Sequence, residues 1–160
     1  MDIEQLAIQV GNELKIRGLM CVTAESCTGG WAGQVITSVP GSSRWFDRGF
    51  ITYTNQAKRE LVGVSTDVLA RFGAVSEQAA RAMAEGALAN SCAQVSLAIT
   101  GIAGPDGGTA DKPVGTVWLA WAGTNRDTHT EYCQFQGDRT AVRRQAVVAA
   151  LTGLCEFIED

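Results

Sequence analysis

Histidine is almost missing from this chain: His129 is the only one in 160 residues. Any site that needs two histidines, as a metal centre or a paired acid and base, is excluded. A Ser-His-Asp triad would depend on this one residue, which falls among polar neighbours on an expected edge strand and reads as solvated. Cysteine is sparse and unpaired in pattern: five residues (Cys21, Cys27, Cys92, Cys133, Cys155), an odd number with no CxxC spacing. That argues against a disulfide scaffold and against a cysteine-held zinc. No apolar run is longer than Val117–Ala122, far too short to cross a bilayer. The start, Met1–Gln5, is acidic and has neither the basic nor the apolar part of a secretory leader, so a cytoplasmic protein without membrane contact is expected. Positive charge is also short, with 13 Lys+Arg against 17 Asp+Glu and a net charge of −4. Without a basic cluster, nucleic acid is not expected as a partner. A small anion held by a few local arginines is still compatible with this balance.

What is present is an ordinary globular composition, 46% hydrophobic and 19% charged, with 18 glycines gathered in particular turns. One domain over 1–160 is expected. Ile3, Leu6, Ala7, Val10 and Leu14 follow the helical period after Asp2, and Gly18 stops them. A short strand is predicted over 19–23, then a turn over 24–27 and a helix over 28–39. Residues 49–54 read as a strand, with Asn55 as the cap of a short helix containing Lys58. Further helices are expected over 66–72 and after a Ser76 cap. Strands follow over 93–100, 116–122 and 128–135, and Asp138 caps a last helix with the stripe Val147, Leu151, Leu154, Cys155 and Ile158. This alternation, closed by a hairpin, predicts a single-domain three-layer α/β/α sandwich with a mixed, mainly parallel sheet. Ligands in such sheets sit at the carboxyl ends of the strands, where the loops around Ser26, Asn55 and Gly101 would converge.

Ser26 lies between a buried strand and a helix start, in Thr-Ala-Glu-Ser-Cys-Thr-Gly-Gly (23–30). Two readings fit that position. Ser26 or Thr28 caps the helix, or Ser26 is a nucleophile beside unpaired backbone N–H groups that stabilise an oxyanion. Lys58 has the same two sides: an exposed lysine, or a base whose ammonium is disfavoured by a helix N-terminus and by burial. A neutral lysine takes a serine proton in the Ser-Lys form of nucleophilic catalysis. Tyr53 is either a half-buried sheet aromatic or a hydroxyl that bonds the lysine or the substrate. Asn55 is cap or ligand. Cys27, at the same helix start, is a rival nucleophile or a small buried hydrophobe. The Gly101–Gly108 segment has neither the Walker nor the dinucleotide-binding order, but its backbone can approach a ligand closely, with Thr100 at its head. Arg139 and Arg143, one helical turn apart, extend the apolar stripe toward the helix start. They are ligands for a phosphate or carboxylate, or snorkelling side chains. Trp118 and Trp121 must face opposite sides of their strand, into the core or into a homo-oligomer interface.

Taken together and in order, the segments 23–30, Gly-Ser-Ser (41–43), Arg-Gly-Phe-Ile-Thr-Tyr-Thr-Asn-Gln-Ala-Lys (48–58), Gly-Ala-Val-Ser-Glu (73–77), Thr-Gly-Ile-Ala-Gly-Pro-Asp-Gly-Gly (100–108) and Lys-Pro-Val-Gly-Thr-Val-Trp (112–118) resemble the CinA C-terminal domain family. The resemblance covers nearly the whole chain and implies hydrolysis of nicotinamide mononucleotide to nicotinate mononucleotide and ammonia, in pyridine nucleotide recycling. It implies Ser26 as nucleophile, Lys58 as general base and Tyr53 nearby, with no cofactor and no metal. Substrate contacts are expected from Thr28, Gly29, Asn55, Thr100, Gly101, Ala103, Gly104, Arg139 and Arg143, the two arginines on helix phase alone. The competing functions are a non-catalytic pyridine-nucleotide-binding domain and an amidase for another small amide.

Overall fold

The computed structural model describes residues 2–160; Met1, where the expected domain begins, lies outside them. The order is α1 (Ile3–Arg17), β1 (Cys21–Glu25), α2 (Trp31–Thr37), a 3-10 turn (Ser42–Arg44), β2 (Phe46–Ile51), α3 (Asn55–Val62), α4 (Thr66–Phe72), α5 (Glu77–Ala89), β3 (Val95–Gly101), β4 (Thr116–Gly123), β5 (Arg126–Gln134) and α6 (Arg139–Glu159). The five strands form one mixed sheet in the order β2-β1-β3-β4-β5. β2, β1 and β3 pair in parallel, while β4 is antiparallel to both its neighbours. Four of the five strands therefore run one way.

Three layers follow from the side-chain pattern. Cys21, Leu97, Ile99, Leu119 and Trp121 join buried faces of α1, α2 and α6 on one side of the sheet. Val22, Ala24, Ala98, Ala120 and Ala122 meet Val62 and the alanine-rich face of α5 on the other. The period-2 alternation of the strands separates the two cores. Trp121 and Trp118 divide between them as strand geometry requires. The Trp121 indole sits directly against Gly153 and donates to the Ala150 carbonyl at 3.0 Å. Any side chain at residue 153 would displace the ring.

The elements match the expected series with shifted edges. β1 starts at Cys21 and reaches Glu25, beyond the expected 19–23, because Glu25 pairs with both Ile51 and Ile99. β2 spans 46–51 instead of 49–54, and the cap of α3 is Thr54, whose Oγ1 accepts from Ala57 N at 3.0 Å. Asn55 is the first helical residue. α2 begins at Trp31 rather than Thr28, since Gly29 (φ 59°) and Gly30 (φ 104°) hold left-handed backbone there. Ser76 and Asp138 cap α5 and α6 as expected, accepting from Ala79 N and Ala141 N. From β1 the chain crosses to β2 by α2 on one face. It then returns past β1 to β3 by α5 on the other. β1 and β3 thus flank the switch point; Ser26 directly follows β1, Gly101 closes β3, and Lys58 comes after the carboxyl end of the neighbouring β2.

Candidate active site

Ser26 is the first residue after β1. Its N–H donates to the Ile99 carbonyl at 3.0 Å, which ties the turn to β3. Its side chain is buried and faces Lys58, whose Nζ lies 3.0 Å from Ser26 Oγ. Lys58 stands on the first turn of α3, and only 1% of its surface is exposed. Its Nζ also donates to the carbonyls of Thr52 at 2.8 Å and Tyr53 at 3.2 Å. No carboxylate forms an ion pair with it among the described residues. Burial without a counter-ion pushes the ammonium down from 10.5 to about 8, with the nearby Cys27 acting weakly the other way. At neutral pH roughly a tenth of such lysines are uncharged, with a free lone pair beside a hydroxyl.

Cys27 is the neighbouring nucleophile candidate, and its environment opposes that role. Burial pushes its thiol up to about 11, although Arg143 and Lys58 pull it down. The side chain stays a thiol at neutral pH and packs in the core. His129 is exposed on β5, stacked on Trp121 at 5.7 Å. Three strand spacings separate β5 from β1, roughly 14 Å, so His129 is out of reach of Ser26.

A cleft of about 260 Å³ opens over the Ser26–Lys58 contact, lined by Ser26, Cys27, Tyr53, Lys58, Thr100, Gly101, Ala103, Gly104 and Arg139, all expected or weighed from the sequence. Ala74, Val75, Ile102, Asp106 and Gly107 complete the lining and were not singled out. Thr100 Oγ1 is spent on the Ala74 carbonyl at 2.7 Å and so holds the 73–75 segment against β3. Tyr53 meets the lysine through its carbonyl and not its hydroxyl, because it lies past the end of β2 with the ring turned outward. The hydroxyl instead accepts from Arg139 Nη2 at 3.3 Å, and Arg139 Nη1 donates to the Gly104 carbonyl at 2.7 Å. Together they form the mouth of the cleft. Thr28, Gly29, Asn55 and Arg143 do not line it. The backbone N–H groups of Cys27, Thr28, Ala103 and Gly104 have no acceptor among the described residues.

The capping reading of Ser26 and Thr28 does not hold. α2 has no cap from its own N-cap residue, Gly30. The buried carboxylate of Glu25 takes that place, accepting from Ala32 N at 2.9 Å and Gly33 N at 3.0 Å. Glu25 was missed. The available signal was an acidic side chain just ahead of a helix whose start, Gly29-Gly30, offers no side-chain acceptor.

A buried serine–lysine contact at the switch point of a three-layer α/β sandwich, with unpaired N–H groups alongside, is an arrangement able to support nucleophilic chemistry on a small molecule. The CinA C-terminal domain profile matches residues 3–158, and the chain belongs to that family. A protein of Escherichia coli (strain K12) named nicotinamide-nucleotide amidohydrolase PncC is 53% identical over 160 residues, covering 99% of this chain and 97% of that protein. The Pseudomonas putida protein of the same name is 49% identical over 97% of this chain and 96% of its own length. The crystal structure of competence/damage inducible protein CihA from Agrobacterium tumefaciens superposes with a TM-score of 0.96 at 46% identity, covering 100% of this chain and 97% of that one.

Proposed function

We propose that this protein is an amidohydrolase that converts nicotinamide mononucleotide to nicotinate mononucleotide and ammonia, as one amidase unit serving pyridine nucleotide recycling in the cytoplasm. The names of its near-full-length relatives support the reaction. The observation that carries the mechanism is the 3.0 Å contact between Ser26 Oγ and a buried lysine pushed down to about 8.

Neutral Lys58 takes the Ser26 proton as Oγ attacks the carboxamide carbon. The carbonyl π pair moves onto oxygen, and the free N–H groups of Cys27 and Thr28, with those of Ala103 and Gly104, are the donors available to hold it. Collapse of the adduct breaks the C–N bond, and Lys58 returns the proton to the leaving nitrogen as ammonia departs. Water, deprotonated by the same lysine, then attacks the nicotinoyl ester; as the C–O bond to Ser26 breaks, Lys58 returns that proton to Oγ and the acid product leaves as its carboxylate. Arg139, which bonds the Gly104 carbonyl and lines the mouth, is the cation assigned here to the 5′-phosphate.

The test is ammonia release from nicotinamide mononucleotide by the wild type, Ser26→Ala and Lys58→Ala. An active wild type and two folded variants that lose nearly all activity are expected. A folded wild type that releases no ammonia rejects the amidase reading, and an active Ser26→Ala rejects the mechanism.

A further inference from the structure

The turn that carries Ser26 is gripped by two charged groups that take no part in the proton transfers above. The first is Arg143 of α6. Its Nε donates to the Cys27 carbonyl at 3.0 Å and its Nη2 to the Thr28 carbonyl at 3.2 Å. The guanidinium lies over the Trp31 ring at 5.5 Å, which fixes its plane. The second is Glu25, only 2% exposed. Its Oε1 accepts from Thr28 Oγ1 at 2.6 Å and Ala32 N at 2.9 Å, and its Oε2 from Gly33 N at 3.0 Å.

The directions of the peptide planes give this grip a consequence. In a trans peptide the C=O and N–H point opposite ways. With the Cys27 carbonyl held on Arg143, the Thr28 N–H faces away from the arginine. The Ser26 carbonyl accepts from Gly29 N at 3.0 Å, which fixes the preceding plane and so the direction of the Cys27 N–H. Neither N–H has an acceptor among the described residues, whereas that of Ser26 is spent on Ile99. Leaving two amides unpaired in a turn this buried is costly unless something else uses them.

We propose that Arg143, with Glu25 as a second anchor, is a positioning residue that holds the Cys27 and Thr28 amides toward the oxyanion formed at Ser26. This rests on the amidase reading above. It takes Arg143 out of the phosphate-binding role that helix phase suggested, since Arg143, unlike Arg139, does not line the cleft and spends its Nε and Nη2 on the carbonyls of the nucleophile turn. Lysine cannot replace it: a single ammonium on a flexible stem does not hold two carbonyls in one plane.

The experiment compares wild type with Arg143→Lys, Arg143→Met and Glu25→Gln. The substrates are nicotinamide mononucleotide and the phosphate-free nicotinamide riboside. The rate at which a fluorophosphonate labels Ser26 is read in parallel. Positioning predicts that kcat falls by about tenfold to a hundredfold while KM for the nucleotide moves less than about threefold. The same fold-loss is expected on the riboside, and labelling slows in step. A phosphate ligand would instead raise KM, spare kcat and leave the riboside unaffected. That result, or three folded variants with wild-type kcat, overturns the proposal. If Arg143→Met does not fold, Arg143→Lys and Glu25→Gln carry the comparison. If the wild type releases no ammonia from either substrate, the amidase reading fails by itself. Labelling then still decides the grip: unchanged labelling overturns it, and slowed labelling supports it.

Discussion

The hollow between β5 and the C-terminal half of α6 encloses about 740 Å³, while the cleft over Ser26 encloses about 260 Å³. The larger one holds the only histidine, three further aromatic rings from Trp121, Tyr132 and Phe157, and charges of both signs in Arg126, Asp127, Glu131, Glu156 and Asp160. Its charged groups stand on an exposed edge strand or a helix end, where water solvates them. Arg126 is already bound to the Phe157 carbonyl at 2.7 Å. The smaller cleft holds a lysine taken almost wholly out of water and paired with a hydroxyl and two carbonyls instead of a carboxylate. Room alone does not create reactivity. A charged group kept from water and from a counter-ion has an altered proton affinity, and that alteration is chemically useful.

The sharpest way to break this contrast is to remove the nucleophile. Ser26→Ala is expected to cut ammonia release by about a thousandfold or more, with the fold retained. Steady-state kinetics with circular dichroism as the control reads both. Next is pH. The working form of Lys58 is neutral and its ammonium is pushed down to about 8, so kcat/KM should rise with pH, about tenfold per unit below that value, and level off above it. A bell centred near 6.5, or a flat profile from pH 6 to 9, contradicts the base assignment. A smaller effect belongs to the cleft mouth. Arg139→Met should raise KM for the nucleotide by about tenfold, the worth of one or two charge-assisted hydrogen bonds, with little change on the riboside. Smallest is the effect in the large hollow. His129→Ala should leave kcat and KM within about twofold and stability within about 0.5 kcal/mol. A large activity loss there would dissolve the contrast between the two hollows.

The layers of the fold were legible because strand and helix periods are local, and the caps at Ser76 and Asp138 are local too. Edges were less so. Glu25 belongs to β1 because of partners on β2 and β3, and neither strand lies near it in sequence. Ser26 and Lys58 were legible as nucleophile and base, but the geometry that joins them was not. Their contact spans 32 residues and depends on how α3 leaves β2. Helix phase brought Arg139 and Arg143 to the same inward face of α6, where they divide. One reaches the cleft mouth and the other the back of the nucleophile turn. Phase states which way a side chain leaves its helix, and only the neighbouring backbone decides what it meets.

The most direct test of the central claim is to trap the acyl intermediate. The wild type is mixed with nicotinamide mononucleotide at a pH above 8, quenched in acid within the first turnover, and digested for peptide mass spectrometry. The account predicts a nicotinate-nucleotide ester on the peptide containing Ser26, located at that residue by fragmentation and absent from Ser26→Ala. An adduct on Cys27, or a first-turnover burst of ammonia with Ser26 unmodified, would contradict it.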